Sequence, residues 1–458
     1  MPLRPTNDPR FPYTNELALP VIGLEAEFKV FLDDVEVAPE AIWRTPSAFI
    51  ERPLLKRTNK SLQLPTGGAL YFDGGVLEVV TPVIEIAPQC TARVVRSLWE
   101  QIGFVRDQLD AWEAREGRRV RLQAFSCHVN ISFELPRESR SRDRTIQKLA
   151  VLLAHLLPVP IIVTAANRLS TGIGVRPRRE RIELTLDFPP DPGLMAATTA
   201  LIVGVVRDVI AWPSYRLDEV DARGIPRLAE LAPGRHATRK GWLARAEHFP
   251  RNPFETDLDA PLWKTAGGGM SSLRRIALEL ATHFRDSIGR YADPFSYRLL
   301  FSLLRGETPA MLDLEERPAA YDDVGRTTRW GSVLPELENY AALMSDAGGP
   351  SPTPRRRRAD IDVALAAPWS GEPANRRSAE RPTKERRAAR ALPSPRLTRS
   401  SYERVFLNLG HCRQLRIDGE VLTPVKVKGW YHSVFRTPDG EERLLSIDQL
   451  LHYSGSWI

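Results

Sequence analysis

The chain has little of what marks a secreted or membrane protein. Its 458 residues include three cysteines, Cys90, Cys127 and Cys412, which form no CxxC pair and whose odd number argues against a disulfide framework. The longest apolar stretch, residues 193–210, contains two charged side chains and is typical of a buried helix. The first residues lack the charged-then-apolar pattern of a signal peptide. We therefore expect a soluble, cytoplasmic protein with no membrane partner.

Excess positive charge is absent from most of the chain. The formal net charge is +7, but residues 355–399 carry 13 Lys or Arg against 5 Asp or Glu, which leaves the rest at −1. A nucleic-acid-binding domain places its basic residues on a folded surface. The charge distribution therefore argues against a nucleic-acid partner.

Composition divides the chain into three parts. Residues 1–346 have the mixture of apolar and charged residues of a large domain, and residues 347–400 are rich in Pro and Arg, which predicts a disordered linker. Within it, Arg355–Arg358 is either simply solvated or contacts RNA or an acidic partner. Turns at Asp418-Gly419 and at 438–440 predict two hairpins in a small β unit, residues 401–458. This unit could dock on the large domain or bind a partner, and the linker could also bind a protein partner.

Long apolar stripes predict the helices of the large domain. Residues spaced three and four apart are apolar in five segments. The predicted helices are residues 87–115, 145–157, 193–210, 271–288 and 295–304.

Four predicted strands carry polar side chains of one kind on one face. In residues 21–32 the period of two puts Glu25 and Glu27 on the same face, about 7 Å apart. The same alternation places Glu78 in residues 76–81 and His128 in residues 122–134 opposite the apolar side chains. In residues 181–188 it does so for Arg181 and Glu183. Cys127 faces the core, which argues against a thiol nucleophile, and no Ser-His-Asp set stands out.

These residue types indicate a cation site. Any antiparallel sheet with one solvated face shows such alternation, but that face is usually a mixture of polar residues. Here it offers carboxylates and an imidazole, the ligands that Mg²⁺ or Mn²⁺ accept. Carboxylates packed together repel one another unless cations neutralise them. Arg176, Arg178 and Arg181 supply positive charge for phosphate oxygens.

The motifs on these strands resemble those of a known superfamily. Gly23-Leu24-Glu25-Ala26-Glu27-Phe28 is similar to the GxExE strand of the glutamine synthetase-like carboxylate–amine ligases. The segment 72–79 resembles the acid–Gly-Gly–hydrophobic–Glu segment of glutamate–cysteine ligases, and 126–130 resembles the superfamily's His strand. Residues 181–184 and the Pro-rich turn after them resemble the Arg-Ile-Glu-Val strand and turn of glutamine synthetases. The four motifs occur in the family's order over residues 20–210.

The resemblance implies an α+β fold and a chemistry. The fold would be an antiparallel sheet with helices on one face and a metal-lined funnel on the other. The activity would be that of an ATP-dependent ligase, of the glutamate–cysteine ligase or amidoligase type, joining a small-molecule or peptide carboxylate to an amine through an acyl phosphate. Two or three Mg²⁺ ions, or Mn²⁺ in their place, would serve as cofactor, and ATP as co-substrate. The matched metal ligands are Glu25, Glu27, Glu78, His128 and Glu183. Arg181 would contact phosphate, and Glu27 and Arg181 would be catalytic.

Other possibilities stay open at the level of sequence. Asn130 and Thr185 stand where many relatives have a second His and another Arg. Lys264 begins a glycine-rich segment before a helix, which either binds phosphate through backbone N–H groups or forms a structural turn. The same fold type also serves phosphotransfer to a nitrogen acceptor. A scaffold that binds nucleotide or a partner without catalysis is the third alternative.

Overall fold

A computed structural model of the chain describes residues 17–58, 60–133, 144–178, 180–189, 191–236, 241–314, 323–326 and 399–458. One compact unit comprises Met1–Arg329 and Arg399–Ile458. The predicted linker and its Arg355–Arg358 cluster lie almost wholly outside the described residues. Only its last two residues, Arg399 and Ser400, are described.

The strands are mostly short, with two long ones near the centre of the chain's main sheet. They are β1 Val21–Leu32, β2 Val35–Val37, β3 Leu55–Arg57, β4 Leu62–Gln63, β5 Ala69–Asp73, β6 Val76–Val80, β7 Ile84–Glu85, β8 Val120–Ser132, β9 Ile173–Pro177, β10 Arg181–Leu186, β11 Gly234–Arg235, β12 Trp242–Ala244, β13 Trp263–Lys264, β14 Met270–Ser271, β15 Leu415–Ile417, β16 Glu420–Lys428, β17 His432–Arg436 and β18 Glu442–Ser446.

The helices fall between the strands and in a group after β14. They are α1 Pro39–Trp43, α2 Cys90–Glu116, α3 Ile146–Leu156, α4 Pro158–Ala165, α5 Pro192–Ile210, α6 Leu217–Ala222, α7 Leu273–His283, α8 Arg285–Tyr291, α9 Pro294–Leu304, α10 Ser401–Gly410 and α11 Ile447–His452.

Sixteen of these strands join one sheet, and β13 and β14 form a separate hairpin. The path across the sheet is β11-β12-β9-β10-β8-β1-β6-β5-β4-β3-β16-β17-β18, with β2 and β7 beside β1 and β15 beside β16. Among the described strands only β3 and β16 pair in parallel. The fold is therefore α+β with a large, mostly antiparallel sheet, as the sequence predicted; the metal-lined funnel remains a prediction.

Helices cover the apolar face of the sheet. Leu24, Ala26 and Phe28 of β1 are fully buried, and the Phe28 ring lies edge-on to Phe188 with centroids 5.5 Å apart. Trp99 of α2 packs on the same Phe188 ring. Burying these side chains on one face leaves the intervening polar residues of β1 on the other.

The apolar helix α5 belongs to the core. Its N-cap Asp191 accepts hydrogen bonds from the first-turn N–H groups of Gly193 and Leu194. It is long and apolar enough to cross a membrane, but 89% of that stretch is buried inside the protein. In the described chain only α3 and α4 taken together, bent by 54°, pass the same test. The prediction of a buried helix at residues 193–210 is confirmed.

The C-terminal residues extend the main sheet. Lys426 of β16 pairs with Lys56 of β3, and both predicted hairpins are present as β15–β16 and β17–β18. Two helices, α10 and α11, were not predicted from the sequence. The Glu403 side chain of α10 is fully buried and accepts hydrogen bonds at 2.8 and 3.1 Å from Arg96 of α2.

One predicted helix is two helices. The sequence indicated a continuous helix over residues 271–288, but α7 ends at His283 and α8 begins at Arg285. Phe284 between them has φ −93° and ψ 11°, and its buried ring stacks on Trp212. The helix therefore breaks where this ring packs into the core. The sequence contains no Gly or Pro at that point that would have predicted the break.

Candidate functional site

The strand register puts the predicted acidic residues on the face opposite the helices. Glu27 lies directly across from Glu78 of β6, and Glu25 lies across from His128 of β8. Glu183 of β10 lies across from Asn130. Directly opposed residues share a face of the sheet, so these side chains project to the same side. We call this the polar face.

Three residues of the polar face converge. Ligand atoms of Glu25, Glu78 and His128 all lie within 4.8 Å of one another. The His128 Nδ1 is 3.0 Å from Glu25 Oε2, and the Tyr71 hydroxyl donates a hydrogen bond to Glu78 Oε1. Glu78 and His128 are 2% and 5% exposed. The cluster is thus enclosed, and it combines two carboxylates with one imidazole.

The enclosure changes the protonation of Glu78. Burial raises the pKa of its carboxyl to about 9, and the negative charges of Glu25 and Glu27 add to the rise, while the Tyr71 hydrogen bond opposes it. In the absence of a cation this carboxyl therefore holds its proton at neutral pH. A cation between Glu25 and Glu78 would favour its ionised form.

Glu27 lies beside this cluster. The Ser126 hydroxyl donates to Glu27 Oε2 at 2.5 Å, and Glu27 Oε1 is 3.9 Å from His128 Nε2. The β1–β8 register shifts immediately after Glu27. A bulge of this kind re-aims the side chains next to it.

Arginines surround Glu183 at the other side of the polar face. Arg176 Nη2 is 2.6 Å from Glu183 Oε1, and Arg178 donates to both carboxylate oxygens at 2.8 and 2.9 Å. Burial alone would raise the pKa of Glu183, but the hydrogen bond from Arg178 and the positive charge of Arg176 lower it. Glu183 is thus a buried carboxylate held ionised by guanidinium groups.

Arg181 and Lys264 have different surroundings. Arg181 Nε donates to Asn130 Oδ1 at 2.7 Å, and its side chain is 42% exposed at the edge of the polar face. Lys264 is exposed in the β13–β14 hairpin outside the main sheet, where its carbonyl accepts from the Ala229 N–H. No hydrogen bond or ion pair among the described residues joins the Lys264 side chain to the polar face, and its phosphate-binding role stays a prediction.

Two polar-face residues that contact acidic side chains, Tyr71 and Ser126, were given no site role from the sequence, although alternation places Ser126 on this face. Tyr71 lies opposite Glu78 because the hairpin turns at Gly74-Gly75, with φ of 59° and 93°. The turn was recognised in the sequence, so counting back from it would have paired these two residues. The Ser126 contact with Glu27 has no such signal, because it depends on the register between distant strands.

The residues present fit a divalent cation at the cluster. Oxygen ligands suit Mg²⁺, and Mn²⁺ also accepts imidazole. A buried carboxyl that holds its proton beside a second carboxylate is the electrostatic situation that a bound cation relieves. Glu183 differs, because guanidinium groups already contact both of its oxygens.

Comparison with known proteins finds similarity among solved structures but not among families or curated sequences. No family model matches the chain, and no curated protein matches it. The chain is similar to the solved complex between the prokaryotic ubiquitin-like protein Pup and its ligase PafA, over 95% of this chain and 92% of that one. The sequences are 14% identical and the TM-score is 0.43, values that carry no inference about function.

Proposed function

We propose that this chain is an ATP-dependent carboxylate–amine ligase that forms an amide bond through an acyl phosphate. In this proposal Mg²⁺ or Mn²⁺ binds at the cluster of Glu25, Glu78 and His128. ATP is the co-substrate, and the two substrates that are joined are a carboxylate and an amine.

The convergence of these three residues carries the proposal. Two carboxylates and an imidazole lie within 4.8 Å of one another on the polar face of a mostly antiparallel sheet. The strands that supply them carry the motifs that resemble the glutamine synthetase-like ligases. A solvated face would not need to bury Glu78 and His128 together.

The reaction itself explains why such a face would be useful. A carboxylate is a poor acyl donor, because its anionic oxygen does not leave. When one of its oxygens attacks the γ-phosphorus of ATP, ADP departs and an acyl phosphate forms. The amine nitrogen then attacks the carbonyl carbon, phosphate leaves with the C–O electron pair, and the nitrogen loses a proton. Bound divalent metal would supply charge neutralisation between the carboxylate and the triphosphate.

The protein's own residues would bind and orient the anionic groups. The hydrogen bond from Arg181 Nε to Asn130 orients the Arg181 side chain. Its partly exposed guanidinium lies at the edge of the polar face, where it can contact a substrate. We propose that it binds the transferred phosphoryl group. Arg178, 36% exposed and fixed by Glu183, would bind the neighbouring phosphate oxygens.

The decisive experiment is a screen for ADP release. Purified protein with Mg²⁺ and ATP is incubated with panels of amino acids, peptides and polyamines, and products are identified by mass spectrometry. An amide product supports the proposal. A stable N-phosphoryl product would instead establish phosphotransfer to nitrogen. Nucleotide binding without turnover on any acceptor would favour the scaffold.

A conservative variant ties the activity to the polar face. Glu27→Gln keeps the hydrogen bond from Ser126 but removes one negative charge beside the cluster. We expect loss of turnover and weaker Mg·ATP binding by calorimetry, with metal-free stability unchanged or raised by up to about 1 kcal/mol. Glu36→Gln is the control, since Glu36 is exposed and pairs with Lys29 at 3.1 Å. Wild-type turnover and Mg·ATP affinity in Glu27→Gln would contradict the mechanism.

A further inference from the structure

Arg176 lies between the cation cluster and Glu183. It is 6% exposed on β9, directly across from Glu183 of β10. Its Nη2 is 2.6 Å from Glu183 Oε1, 2.9 Å from Thr185 Oγ1 and 3.2 Å from His128 Nε2. One guanidinium nitrogen thus contacts a carboxylate, a hydroxyl and an imidazole.

This contact fixes the proton of the His128 ring. A guanidinium can only donate, so Nε2 must be the accepting nitrogen. The ring proton then lies on Nδ1, which donates to Glu25 Oε2 at 3.0 Å. His128 therefore orients a carboxylate of the cluster while its lone pair faces Arg176.

The same contacts occupy Glu183. Its Oε1 meets both Arg176 and Arg178 Nη2, and its Oε2 meets Arg178 Nε. A second divalent cation on this side of the polar face would need the Glu183 carboxylate and the His128 Nε2 lone pair. Both are already bound to a fixed positive charge.

We propose that the Arg176 guanidinium takes the place of a second divalent cation, so that the chain binds one cation, at Glu25 and Glu78. The proposed cluster thereby keeps its three residues but only two ligands, because His128 acts as a hydrogen-bond donor to Glu25 and does not itself ligate the cation. The inference rests on the proposed cation cluster, and it assigns Glu183 to anchoring arginines. A buried guanidinium suits this place, because it keeps its charge and its planar geometry without dissociating.

Mn²⁺ titration followed by electron paramagnetic resonance, without nucleotide, tests the proposal. Wild type should bind one Mn²⁺ per chain, and Glu183→Gln should bind it with unchanged affinity. Arg176→Met/Arg178→Met, which removes both of these guanidinium groups from the Glu183 oxygens, should bind two, and adding Glu183→Gln should return it to one. Arg178→Met is the matched control, since it also removes a guanidinium from Glu183 but leaves Arg176 in place; it should bind one.

The outcomes separate this inference from the proposed function. If wild type binds no Mn²⁺, the proposal that this cluster binds a cation is itself wrong. Two Mn²⁺ in wild type or in Arg178→Met, or one in a folded Arg176→Met/Arg178→Met, would overturn the role of Arg176 alone. If the double variant does not fold, pulsed spectra of wild-type protein with one bound Mn²⁺ decide. Absence of imidazole nitrogen coupling supports the proposal, and its presence would show His128 as a ligand.

Discussion

Glu78 shows how one side chain links stability to function. Its carboxyl is enclosed between Tyr71, which donates to it, and the carboxylates of Glu25 and Glu27. Ionising it in a buried place next to negative charge is unfavourable, so its pKa rises to about 9. The folded protein thus binds one more proton than the unfolded chain at neutral pH.

This shift predicts an unusual pH dependence of stability without metal. The folded pKa of about 9 exceeds the usual carboxyl value of 4.5, so the contribution of Glu78 to stability is full below pH 4.5 and is lost as pH rises to 9. In EDTA, Glu78→Gln should therefore gain stability over wild type as pH rises, because it has no proton to lose. Thermal melts from pH 5 to 9 measure the difference, with Glu36→Gln as control. A difference that does not change with pH would contradict the shift.

Cation binding should release the proton that the Glu78 carboxyl carries. Binding at Glu25 and Glu78 displaces it, so Mn²⁺ affinity should rise about tenfold per pH unit below pH 9. Calorimetry in buffers of different ionisation enthalpy measures the proton released. Affinity independent of pH between 6 and 8 would place the cation away from Glu78.

At the scale of elements, alternation in the sequence predicts on which face of a strand each residue lies. It does not predict which strand pairs with which, or in what register. The bounds Val21–Leu32 of β1 and the common face of Glu25, Glu27 and Glu78 followed from the period of two. The pairing of Arg176 with Glu183 did not, because it depends on the register of β9 against β10. From the sequence alone Arg176 is therefore predicted to contact phosphate, whereas in the structure it contacts His128 and Glu183.

The parallel pairing of β3 with β16 was beyond sequence reasoning for a related reason. The two strands are separated by more than 350 residues of chain, and no local turn fixes their register. Tertiary packing joins the C-terminal residues to the rest of the folded unit. Tyr402 and Phe406 of α10 are fully buried in an apolar cluster with Val21 and Leu55. Charged groups join them as well, since Arg399 contacts Glu100 at 2.6 Å.

The buried Glu403 should hold α10 in place. It accepts from Arg96 and Arg399 and has no exposed surface. Glu403→Gln would leave two buried or half-buried guanidinium groups short of a counter-charge, although Glu100 still contacts both. We expect a loss of about 2 to 4 kcal/mol in urea unfolding.

A surface pair provides the control for that substitution. Glu442 pairs with Arg436 at 3.4 Å where both side chains are exposed. Glu442→Gln should change stability by no more than about 0.5 kcal/mol. Equal losses in the two variants would mean that α10 is not held by this buried ion pair.

At the scale of the whole molecule, charge and chemistry are separated along the chain. The strands of the polar face lie within residues 21–186, whereas the excess positive charge lies in residues 355–399. Arg399 and Ser400 belong to the folded unit: Arg399 contacts Glu100 and Glu403, and Ser400 forms the capping box of α10. The last two residues of the predicted linker therefore belong to the folded unit.

Replacing residues 348–398 with a neutral Gly/Ser segment of equal length tests this separation. Because every described contact of the polar face lies outside that segment, melting temperature and Mn²⁺ binding should match wild type, while the isoelectric point falls from 9.4 towards neutral. Extending the replacement through Ser400 removes the Arg399 contacts and the cap, and should cost about 1 to 2 kcal/mol more. Circular dichroism melts and Mn²⁺ titration of both proteins provide the readout. If the shorter replacement already unfolds the protein or abolishes Mn²⁺ binding, the segment is part of the folded site and the linker prediction is wrong.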